Sequence, residues 1–351
     1  MTTLTDDLRI TGTQALREPE ELIGAIPVTS QTGNTVTSAR NEVSAMLDGT
    51  DDRIAVVVGP CSIHDPEAAR EYAQKLVAMK EKYANELCII MRVYFEKPRT
   101  TVGWKGLIND PDMDNSFNIN KGLEIARTLL SDINTLGLPA GVEYLDLISP
   151  QYIADLVGWG AIGARTTESQ GHRELASGLS CPVGFKNGTA GSMQIAVDAI
   201  GAATQSHNFL SVSKNGHSSI FTTAGNPDCH LILRGGKSNT NYDAASVDDA
   251  CALLRKAGVP ERVMIDCSHA NSRKLHERQK YVCRDVCAQL SDGDKRIMGV
   301  MIESNLVAGA QNPSAKPLVR GQSVTDACLA WEDTAPLLDN LAKAVIARRS
   351  A

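Results

Sequence analysis

The stretch that decides the fold spans residues 88–106 and reads CIIMRVYFEKPRTTVGWKG. It begins with apolar and β-branched residues, which is typical of a parallel strand buried on both faces. Pro98 ends this pattern, because proline cannot donate to a sheet ladder and forces the preceding residue into an extended conformation. Arg92 lies within the strand, where a buried charge requires a partner, and further cations follow near Pro98. We infer that the end of this strand is a rigid binding site for an anionic ligand.

Apolar strand patterns of the same kind recur from residue 54 onward, and helical patterns separate most of them. Eight such units in alternation predict an α/β fold, the (β/α)8 TIM barrel, and the second choice is a doubly wound open sheet. The predicted strands cover residues 54–59, 87–95, 140–145, 161–165, 182–186, 230–234, 263–267 and 297–302. The predicted helices cover residues 34–47, 67–83, 118–130, 150–156, 172–178, 192–203, 246–257, 277–290 and, just after Pro336, 337–349.

Two segments fall outside this alternation. Residues 1–50 are polar with local helical patterns, and we expect an N-terminal helical extension that serves as an oligomerisation or regulatory arm of a catalytic barrel in residues 51–351. Residues 209–222 begin with a strand pattern that is too close to the next barrel strand for a crossover helix. Asn215 and Gly216 lie within this segment, and Asn-Gly is the strongest short hairpin signal. We therefore predict an inserted β-hairpin at 209–222.

The composition excludes several classes of partner. The 351 residues carry a net charge of −6 and have a sequence pI near 5.7, which argues against nucleic acid or an anionic membrane surface as a partner. The nine cysteines are odd in number and lack a paired spacing, as expected in a reducing compartment. The first residues show no signal-peptide pattern, and no apolar run reaches transmembrane length. We predict a cytoplasmic globular protein that has no membrane and no nucleic acid as a partner.

The polar residues at the predicted strand ends fall into two groups. Functional residues of (β/α)8 barrels collect at the carboxyl ends of the strands, so both groups would face one mouth. The first group consists of cations, which suit the capture of phosphate or carboxylate and would repel one another without bound anions. We therefore expect more than one phosphate group to bind here. The cations are Arg92, Lys97, Arg99, Arg165, Lys186 and Arg234.

The second group combines one thiol, one imidazole and two carboxylates, a mixture of soft and hard donors that suits a divalent transition metal ion. An equally good interpretation from spacing alone is that the cysteine is a small buried apolar residue and that the acids pair with nearby cations. If the second group binds a metal ion, the two groups together indicate a metal-assisted reaction on phosphorylated carbonyl compounds. The residues of this second group are Cys61, His269, Glu303 and Asp326.

Seven motifs resemble those of a known enzyme family. They are GPCSIH at 59–64, RVYFEKPRTTVGWK at 92–105, GARTTESQ at 163–170, PVGFKNGT at 182–189, LRGGK at 233–237, DCSHAN at 266–271 and SVTDAC at 323–328. From about residue 6 to its carboxyl end, the chain resembles the type I 3-deoxy-D-arabino-heptulosonate 7-phosphate (DAHP) synthases, and above all their phenylalanine-sensitive form. The resemblance implies a metal-dependent barrel transferase, commonly oligomeric and feedback-inhibited. It would join phosphoenolpyruvate to erythrose 4-phosphate with water, giving DAHP and phosphate in the first step of the shikimate pathway toward the aromatic amino acids.

The resemblance also assigns roles to residues at the mouth. The expected ligands of the metal, which would be Mn²⁺, Fe²⁺, Co²⁺ or Zn²⁺, are Cys61, His269, Glu303 and Asp326. The residues expected to hold phosphoenolpyruvate are Arg92, Lys97, Arg165, Lys186 and Arg234, together with the backbone of Ala164 and with Glu143 lining the site. The residues expected to meet erythrose 4-phosphate are Lys97, Pro98, Arg99 and Thr100. The residues expected to act in catalysis are Lys97, His269 and Cys61, with Lys97 and either His269 or a metal-bound water moving protons.

A further implication is an inhibitory site for an aromatic amino acid, away from the mouth. Phenylalanine is the first choice of ligand, tyrosine the second and tryptophan the third, since an apolar pocket rejects an added hydroxyl only weakly. The alternative is that Phe209 and Leu179 are ordinary packing residues and that Asp146 caps a helix near Pro150. We expect a homodimer or a homotetramer, because Asp6 and Asp7 would reach the site from a neighbouring subunit. The other matching positions are Asp146, Pro150, Gln151, Leu179, Ser180, Phe209 and Ser211.

Two other functions stay open. One is a related barrel synthase that joins phosphoenolpyruvate to arabinose 5-phosphate, although the loop at 97–100 and the insertion at 209–222 favour erythrose 4-phosphate. The other is a phospho-sugar sensor without activity, against which the complete ligand set argues. A redox response is also conceivable, because Cys328 would face the same way as Asp326 in an extended segment and could form a disulfide with Cys61 when no metal is bound. An inert, buried Cys328 is at least as good an interpretation.

Overall fold

The computed structural model describes residues 3, 5–99, 101 and 103–351. Eight strands form one parallel sheet, and their bounds are β1 Ile54–Gly59, β2 Leu87–Arg92, β3 Ala140–Glu143, β4 Trp159–Ile162, β5 Val183–Lys186, β8 Cys229–Leu233, β9 Val263–Asp266 and β10 Ile297–Glu303. The sheet closes on itself in the order β1-β10-β9-β8-β5-β4-β3-β2. The predicted (β/α)8 barrel is therefore confirmed.

Strand β2 shows how the sequence builds the barrel wall. Successive side chains of a strand point to opposite faces. Cys88 and Ile90 belong to the cluster inside the barrel, whereas Ile89 and Met91 pack outward in the larger cluster that includes the helices. Arg92 falls on the inward side of this alternation and is fully buried. A cation is thus placed inside the barrel, at the carboxyl end of the strand.

The helices surround the barrel or precede it. Thr334 donates from both its backbone N–H and its hydroxyl to the Ala330 carbonyl, which fixes the first turn of the last helix ahead of Pro336. The prediction that this helix begins after Pro336 is therefore wrong, and the proline lies inside it. Within the described ranges, none of the helices combines the length and the apolar character needed to cross a membrane. Their bounds are α1 Pro19–Ala25, α2 Ser30–Asp48, α3 Pro66–Lys82, α4 Ile119–Thr135, α5 Pro150–Ile153, α6 Gln170–Gly178, α7 Gln194–Ala203, α8 Ala244–Lys256, α9 Gln279–Ser291 and α10 Trp331–Arg348, with short 3₁₀ turns at Ala154–Leu156 and His276–Arg278.

Helix α2 closes the amino-terminal end of the barrel. It begins at Ser30, four residues earlier than predicted, because Thr29 and Thr32 form a capping box. Val43 and Met46 of this helix join the hydrophobic cluster inside the barrel. Helix α2 thus covers apolar side chains of the barrel interior at the end opposite the mouth. The division of the chain into an N-terminal extension in residues 1–50 and a catalytic barrel in residues 51–351 stays a prediction.

The predicted insertion is a hairpin, which confirms this part of the fold. Strands β6 Asn208–Val212 and β7 Ser218–Thr222 pair in an antiparallel fashion outside the barrel. Phe209 and Phe221 lie side by side on one face, with 6.0 Å between their ring centres. Leu210 and Ile220 lie on the other face and are 86% and 75% exposed. A second small pair, β11 Val307–Ala310 and β12 Gln322–Ser323, was not predicted from the sequence.

The predicted strands 87–95 and 161–165 extend three residues too far toward the mouth, and the predicted strand 140–145 extends two residues too far, because β3 ends at Glu143. The fourth barrel strand ends at Ile162, so the predicted range 161–165 is displaced. The hydroxyls of Thr166 and Thr167 donate to the Gly163 carbonyl at 3.1 and 2.9 Å and close a turn that contains Arg165. Strand β2 likewise ends at Arg92 rather than at residue 95, because the chain beyond it pairs locally, with the Lys97 N–H donating to the Lys105 carbonyl at 2.9 Å.

Candidate active site

Arg92 anchors the mouth of the barrel. Its guanidinium donates to Glu303 Oε1 at 2.9 Å and to the carbonyls of Pro60 and Cys61 at 3.0 and 3.2 Å. It also stacks over the Tyr94 ring, 3.5 Å from the ring centre. Both Arg92 and Glu303 are completely buried, so their ion pair lies in a medium of low dielectric constant. The orientation of this cation is therefore fixed by several partners.

Three of the four predicted metal ligands lie close together. One ligand atom each from Cys61, Glu303 and Asp326 falls within 4.8 Å of the others. Cys61 and Glu303 are buried, whereas Asp326 is exposed. His269 lies at the edge of this cluster, with its Nε2 3.7 Å from Glu303 Oε1. The structure thus brings the set together at the ends of β1, β9 and β10 and in the loop after β12.

Asp266 lies directly behind the imidazole of His269. Its Oδ2 lies 2.8 Å from His269 Nδ1, which leaves Nε2 on the side of Glu303. A carboxylate on the second ring nitrogen is the usual arrangement behind a metal-binding histidine, because it fixes the ring and raises its basicity. Asp266 also lies 3.0 Å from Lys186 Nζ. The sequence analysis did not single out Asp266, although it opens the DCSHAN motif.

The protonation states of the cluster fit a bound cation. Burial opposes the charge on Glu303, but His269, Arg92 and Lys97 outweigh it and lower the pKa of this carboxyl to about 2. Burial and the charge of Glu303 raise the pKa of the Cys61 thiol, against the influence of Lys97. A thiolate here therefore needs more positive charge than the protein supplies, and a divalent ion would provide it. The mixture of donors fits a transition metal.

The cation group meets the metal group at Lys97. Lys97 Nζ donates to the Cys61 carbonyl at 3.1 Å and approaches Cys61 Sγ to 3.2 Å. Lys186 is buried beside Asp266, as given above, while Arg234 is half-buried and its backbone N–H donates to Asn187 Oδ1 at 2.8 Å. Arg165 is exposed and donates to the Pro98 carbonyl at 3.1 Å. The cations therefore extend from the barrel interior to its rim.

The other residues expected at the mouth differ in their burial. Glu143 ends β3 and is buried, whereas Ala164 and Pro98 are half-buried and Arg99 is exposed. Thr100 lies outside the described residues. Cys328 is buried, and its sulfur accepts a hydrogen bond from the Cys61 N–H at 3.4 Å. The structure puts these two cysteines side by side, and their disulfide stays a prediction.

A second cavity of about 480 Å³ lies between α2, α5 and the hairpin. Asp146 does not line it, because its carboxylate accepts hydrogen bonds from the N–H groups of Ile148 and Ser149 at 2.6 and 2.9 Å, in the turn before α5. These contacts lie in the turn ahead of α5, whose N-cap is Ser149, so Asp146 is not the cap of this helix. Asp6 and Asp7 are exposed and also lie away from the lining. The predicted inhibitor residues that do line the cavity are Pro150, Gln151, Leu179, Ser180, Phe209 and Ser211.

Glu96 is a further residue that the sequence analysis missed. It directly precedes Lys97, is 3% exposed and accepts a hydrogen bond from the Ser149 hydroxyl at 2.9 Å. Burial, followed by the charge of Asp146, raises its pKa from 4.5 to about 7. It stands just before the cations Lys97 and Arg99, beyond the predicted strand, and nothing in the sequence marks it as a buried carboxyl.

This raised pKa predicts a pH-dependent stability. The folded protein binds the Glu96 proton more tightly than the unfolded chain does, so stability falls as the pH rises from about 4.5 to about 7 and stays lowered above that range. Glu96→Gln keeps an acceptor for Ser149 without the charge. It should raise the free energy of unfolding by about 2–3 kcal/mol at about pH 8, and by much less at about pH 5. Urea unfolding at both pH values measures this, with exposed Glu81→Gln as the control, and equal pH slopes for Glu96→Gln and wild type would refute it.

Comparisons with known proteins identify the family. Residues 26–339 match the sequence profile of the DAHP synthetase I family. The chain is 61% identical over 345 residues to the Phe-sensitive phospho-2-dehydro-3-deoxyheptonate aldolase of Escherichia coli K12, covering 98% of both chains. It is 52% identical to the Trp-sensitive enzyme of the same strain, covering 98% of this chain and 99% of the relative. A solved phospho-2-dehydro-3-deoxyheptonate aldolase from Francisella tularensis superimposes with a TM-score of 0.96 at 56% identity, over 97% of this chain and 99% of that one. The chain therefore belongs to the DAHP synthetase I family.

Proposed function

We propose that the carboxyl mouth of the barrel is the place where this DAHP synthase binds both substrates and its metal ion. Family membership makes the chain an enzyme of the first step of aromatic biosynthesis, and the family is metal-dependent. The residue assignments are our proposal. The observation that carries them is the contact between the two groups, since Lys97 Nζ lies 3.2 Å from Cys61 Sγ. A metal ion and an anionic substrate bound to these groups would share one mouth.

The metal would be Mn²⁺, Fe²⁺, Co²⁺ or Zn²⁺. When bound, it supplies Lewis-acid polarisation of the substrate aldehyde. Asp266 Oδ2 lies 2.8 Å from His269 Nδ1, and Ser268 donates its hydroxyl to Glu303 Oε2 at 2.8 Å, so each of these two ligands would have a polar neighbour behind it. The residues that would hold the ion are Cys61, His269, Glu303 and Asp326.

The cations would hold phosphoenolpyruvate by its phosphate and carboxylate. Arg92 cannot turn away, because Glu303 and two carbonyls hold its guanidinium. A pre-oriented cation stabilises the charge that moves onto the leaving phosphate as water adds to the second carbon. The remaining members of this set are Lys97, Arg165, Lys186 and Arg234, with the Ala164 backbone and Glu143 beside them.

The loop that follows β2 would meet erythrose 4-phosphate. Pro98 and Arg99 extend it from the buried Lys97 toward solvent, and Arg99 would take the phosphate of the aldose, with Thr100 as the next predicted contact. Lys97 Nζ would hold or move the proton at the new hydroxyl, whereas Nε2 of His269 faces Glu303 and would be taken up by the metal ion. Burial opposes the charge on Lys97, but Cys61 and Glu303 outweigh it and raise the pKa of this ammonium. Lys97 therefore carries its proton into the site and suits the role of a donor.

The choice of aldose tests this proposal against its nearest alternative. With phosphoenolpyruvate, metal and erythrose 4-phosphate, we expect one phosphate released for each molecule of both substrates consumed. Arabinose 5-phosphate in place of erythrose 4-phosphate should release phosphate at least about a hundredfold more slowly, because misplaced reacting atoms lose the benefit of orientation. Faster release with arabinose 5-phosphate would support the arabinose 5-phosphate synthase, and no release from either aldose would support a sensor.

We also propose that the 480 Å³ cavity binds an aromatic amino acid that inhibits the enzyme, with phenylalanine first. Phe209, Phe221 and Leu179 line an apolar slot for a ring. Arg40 and Lys214 lie in the same lining and supply positive charge for the α-carboxylate. The feedback by an aromatic amino acid is implied by the family, and the choice among the three amino acids rests on the higher identity to the Phe-sensitive relative.

Filling the cavity should relieve inhibition without removing catalysis. Ser180→Leu places a larger side chain in the lining, so we expect the concentration of phenylalanine that halves the rate to rise at least about tenfold, equivalent to about 1.4 kcal/mol. Initial rates with phenylalanine, tyrosine and tryptophan measure this, and exposed Ser350→Leu is the control. Inhibition of Ser180→Leu at the wild-type concentration would contradict the location of the site. Insensitivity of the wild type to all three would contradict the regulation itself.

The N-terminal segment and the hairpin would serve assembly into a homodimer or homotetramer. Leu8 and Ile10 in the segment, like Leu210 and Ile220 on the hairpin, expose large apolar side chains. Such side chains close to one another on a surface favour contact with another subunit. A neighbouring subunit would then bring Asp6 and Asp7 to the inhibitor cavity, where they would receive the α-amino group. The molar mass in solution, measured by light scattering, checks this proposal.

A further inference from the structure

A cavity of about 980 Å³ opens on the side of the mouth formed by the loops after β5, β8 and β9. Five cations line it, namely Arg165, Arg234, Lys237, Arg273 and Lys274. Among the described residues of this lining there is no carboxylate. Arg165 and Arg234 border the proposed phosphoenolpyruvate site, whereas the other three have no role in the reaction as described so far. They form what we call the outer wall, consisting of Lys237, Arg273 and Lys274.

The loop that carries Lys237 has a fixed shape. A Cβ atom at Gly236 would come within 2.5 Å of Gly191 Cα, so the loops after β5 and β8 touch through two glycines. The Lys237 N–H donates to the Thr189 carbonyl at 3.1 Å, and the Gly236 N–H donates to the Asn239 carbonyl at 2.7 Å. Backbone contact of this kind holds the base of the lysine in place while its ammonium group stays in the cavity lining.

The loop that carries Arg273 and Lys274 is fixed as well. Both residues are left-handed, with φ of 53° and 57°, a region that long side chains rarely occupy. Their N–H groups donate to the carbonyls of Ala270 and His269 at 3.0 and 2.7 Å. Buried Asn271 ties the loop to the barrel by donating to the carbonyls of Leu233 and Asp266. Two adjacent strained residues that both present cations to one cavity indicate a ligand rather than chance.

We propose that the outer wall is a second phosphate subsite, which binds the dianion of a phosphate monoester or of inorganic phosphate at the entrance of the mouth. The ligand is a phosphate because guanidinium and ammonium groups are concentrated there against the net charge of −6 of the whole chain. The subsite is separate from the loop at 97–99. This inference rests on the proposed function for its substrates, but binding of phosphate can be measured without turnover.

The first experiment is equilibrium dialysis of the full, metal-free chain against labelled inorganic phosphate. The variant is Arg273→Asn with Lys274→Asn, because asparagine tolerates left-handed backbone and preserves the loop. We expect the variant to bind one phosphate fewer per chain than wild type at the same free concentration. The control is Lys256→Asn with Lys295→Asn, which removes the same charge from exposed positions at the opposite end of the barrel. Equal phosphate stoichiometry in the variant and the control would overturn the proposal.

A charge-conserving variant separates binding from folding. Arg273→Lys with Lys274→Arg should bind the same number of phosphates as wild type, and loss of the phosphate in this variant too would overturn a charge-based subsite. The dependence of kcat/KM on ionic strength supplies a second readout, because removal of steering cations makes that dependence shallower. We expect kcat/KM of the asparagine variant to fall about five- to tenfold at low ionic strength and to approach wild type at high salt. An unchanged salt dependence would overturn the proposal.

The kinetic constants identify the source of the phosphate. A rise of KM for erythrose 4-phosphate alone assigns the subsite to the aldose, and a rise for phosphoenolpyruvate alone assigns it to that substrate. Weaker product inhibition by inorganic phosphate, with both KM values unchanged, assigns it to the released phosphate. Each of these outcomes supports the subsite, provided that the dialysis shows the missing phosphate. If the chain releases no phosphate from any substrate pair, the proposed function fails while the dialysis result still stands.

Discussion

Replacement of Cys61 by alanine should lower kcat/KM at least about a thousandfold, a loss of about 4 kcal/mol of transition-state stabilisation. The reason is that the thiolate is the soft member of a donor set in which one atom each of Cys61, Glu303 and Asp326 lies within 4.8 Å of the others. Chelation of the wild-type enzyme should cause the same loss, and return of Mn²⁺ should reverse it. In Cys61→Ala the return of Mn²⁺ should have no effect.

Metal content, measured together with the rate, separates this explanation from misfolding. The control is Cys88→Ala, which truncates another buried cysteine at the amino end of β2, far from the mouth. It should lose about 1 kcal/mol or less of stability and keep its metal and most of its activity. A Cys61→Ala enzyme that is fully active without metal would refute the assignment of Cys61.

Arg92→Met should lower the free energy of unfolding of the metal-free protein by about 3–5 kcal/mol. The arginine and Glu303 form an ion pair of 2.9 Å with both side chains completely buried. Removal of one partner leaves a carboxylate in the barrel without its closest cation, which costs much more than the pair contributes. Urea unfolding in the presence of chelator measures the effect.

A surface pair provides the control for Arg92. Arg255 lies 2.6 Å from Glu261 but is 67% exposed, so Arg255→Met should change stability far less than Arg92→Met does. Addition of Glu303→Gln to Arg92→Met should restore part of the loss, because the second change removes the charge that the first one left unpaired. Equal stability of Arg92→Met and Arg255→Met would show that the buried pair is not what holds this end of the barrel.

The sequence was sufficient for the barrel because its strands are short, apolar and separated by amphipathic helices. Periodicity does not mark where a strand ends at the mouth. Beyond Ile162 the chain leaves the sheet because threonine hydroxyls bond to Gly163, and such side-chain contacts carry no apolar pattern. The start of the last helix was predicted wrongly, after Pro336, for a similar reason. Thr334 donates to the Ala330 carbonyl and so forms the first turn ahead of the proline.

The candidate site was predictable where charged residues follow strands, and less so where partners come from distant segments. Arg92 inside an apolar strand required a partner, but only the fold shows that Glu303 is this partner. Asp266 was missed because its contacts, Lys186 and His269, come from the end of β5 and from the loop after β9 and meet only in the folded barrel. Lys237, Arg273 and Lys274 received no role from the sequence, because the cavity that they share exists only in three dimensions.

The central claim is that the metal and the phosphate of phosphoenolpyruvate bind in one mouth, joined by the contact of Lys97 with Cys61. The most direct measurement is the ³¹P resonance of bound phosphoenolpyruvate with paramagnetic Mn²⁺ and with diamagnetic Zn²⁺ in the enzyme. We expect strong broadening with Mn²⁺, none with Zn²⁺, and no broadening in Cys61→Ala. A sharp resonance from phosphoenolpyruvate bound to the Mn²⁺-loaded wild-type enzyme would contradict the shared mouth.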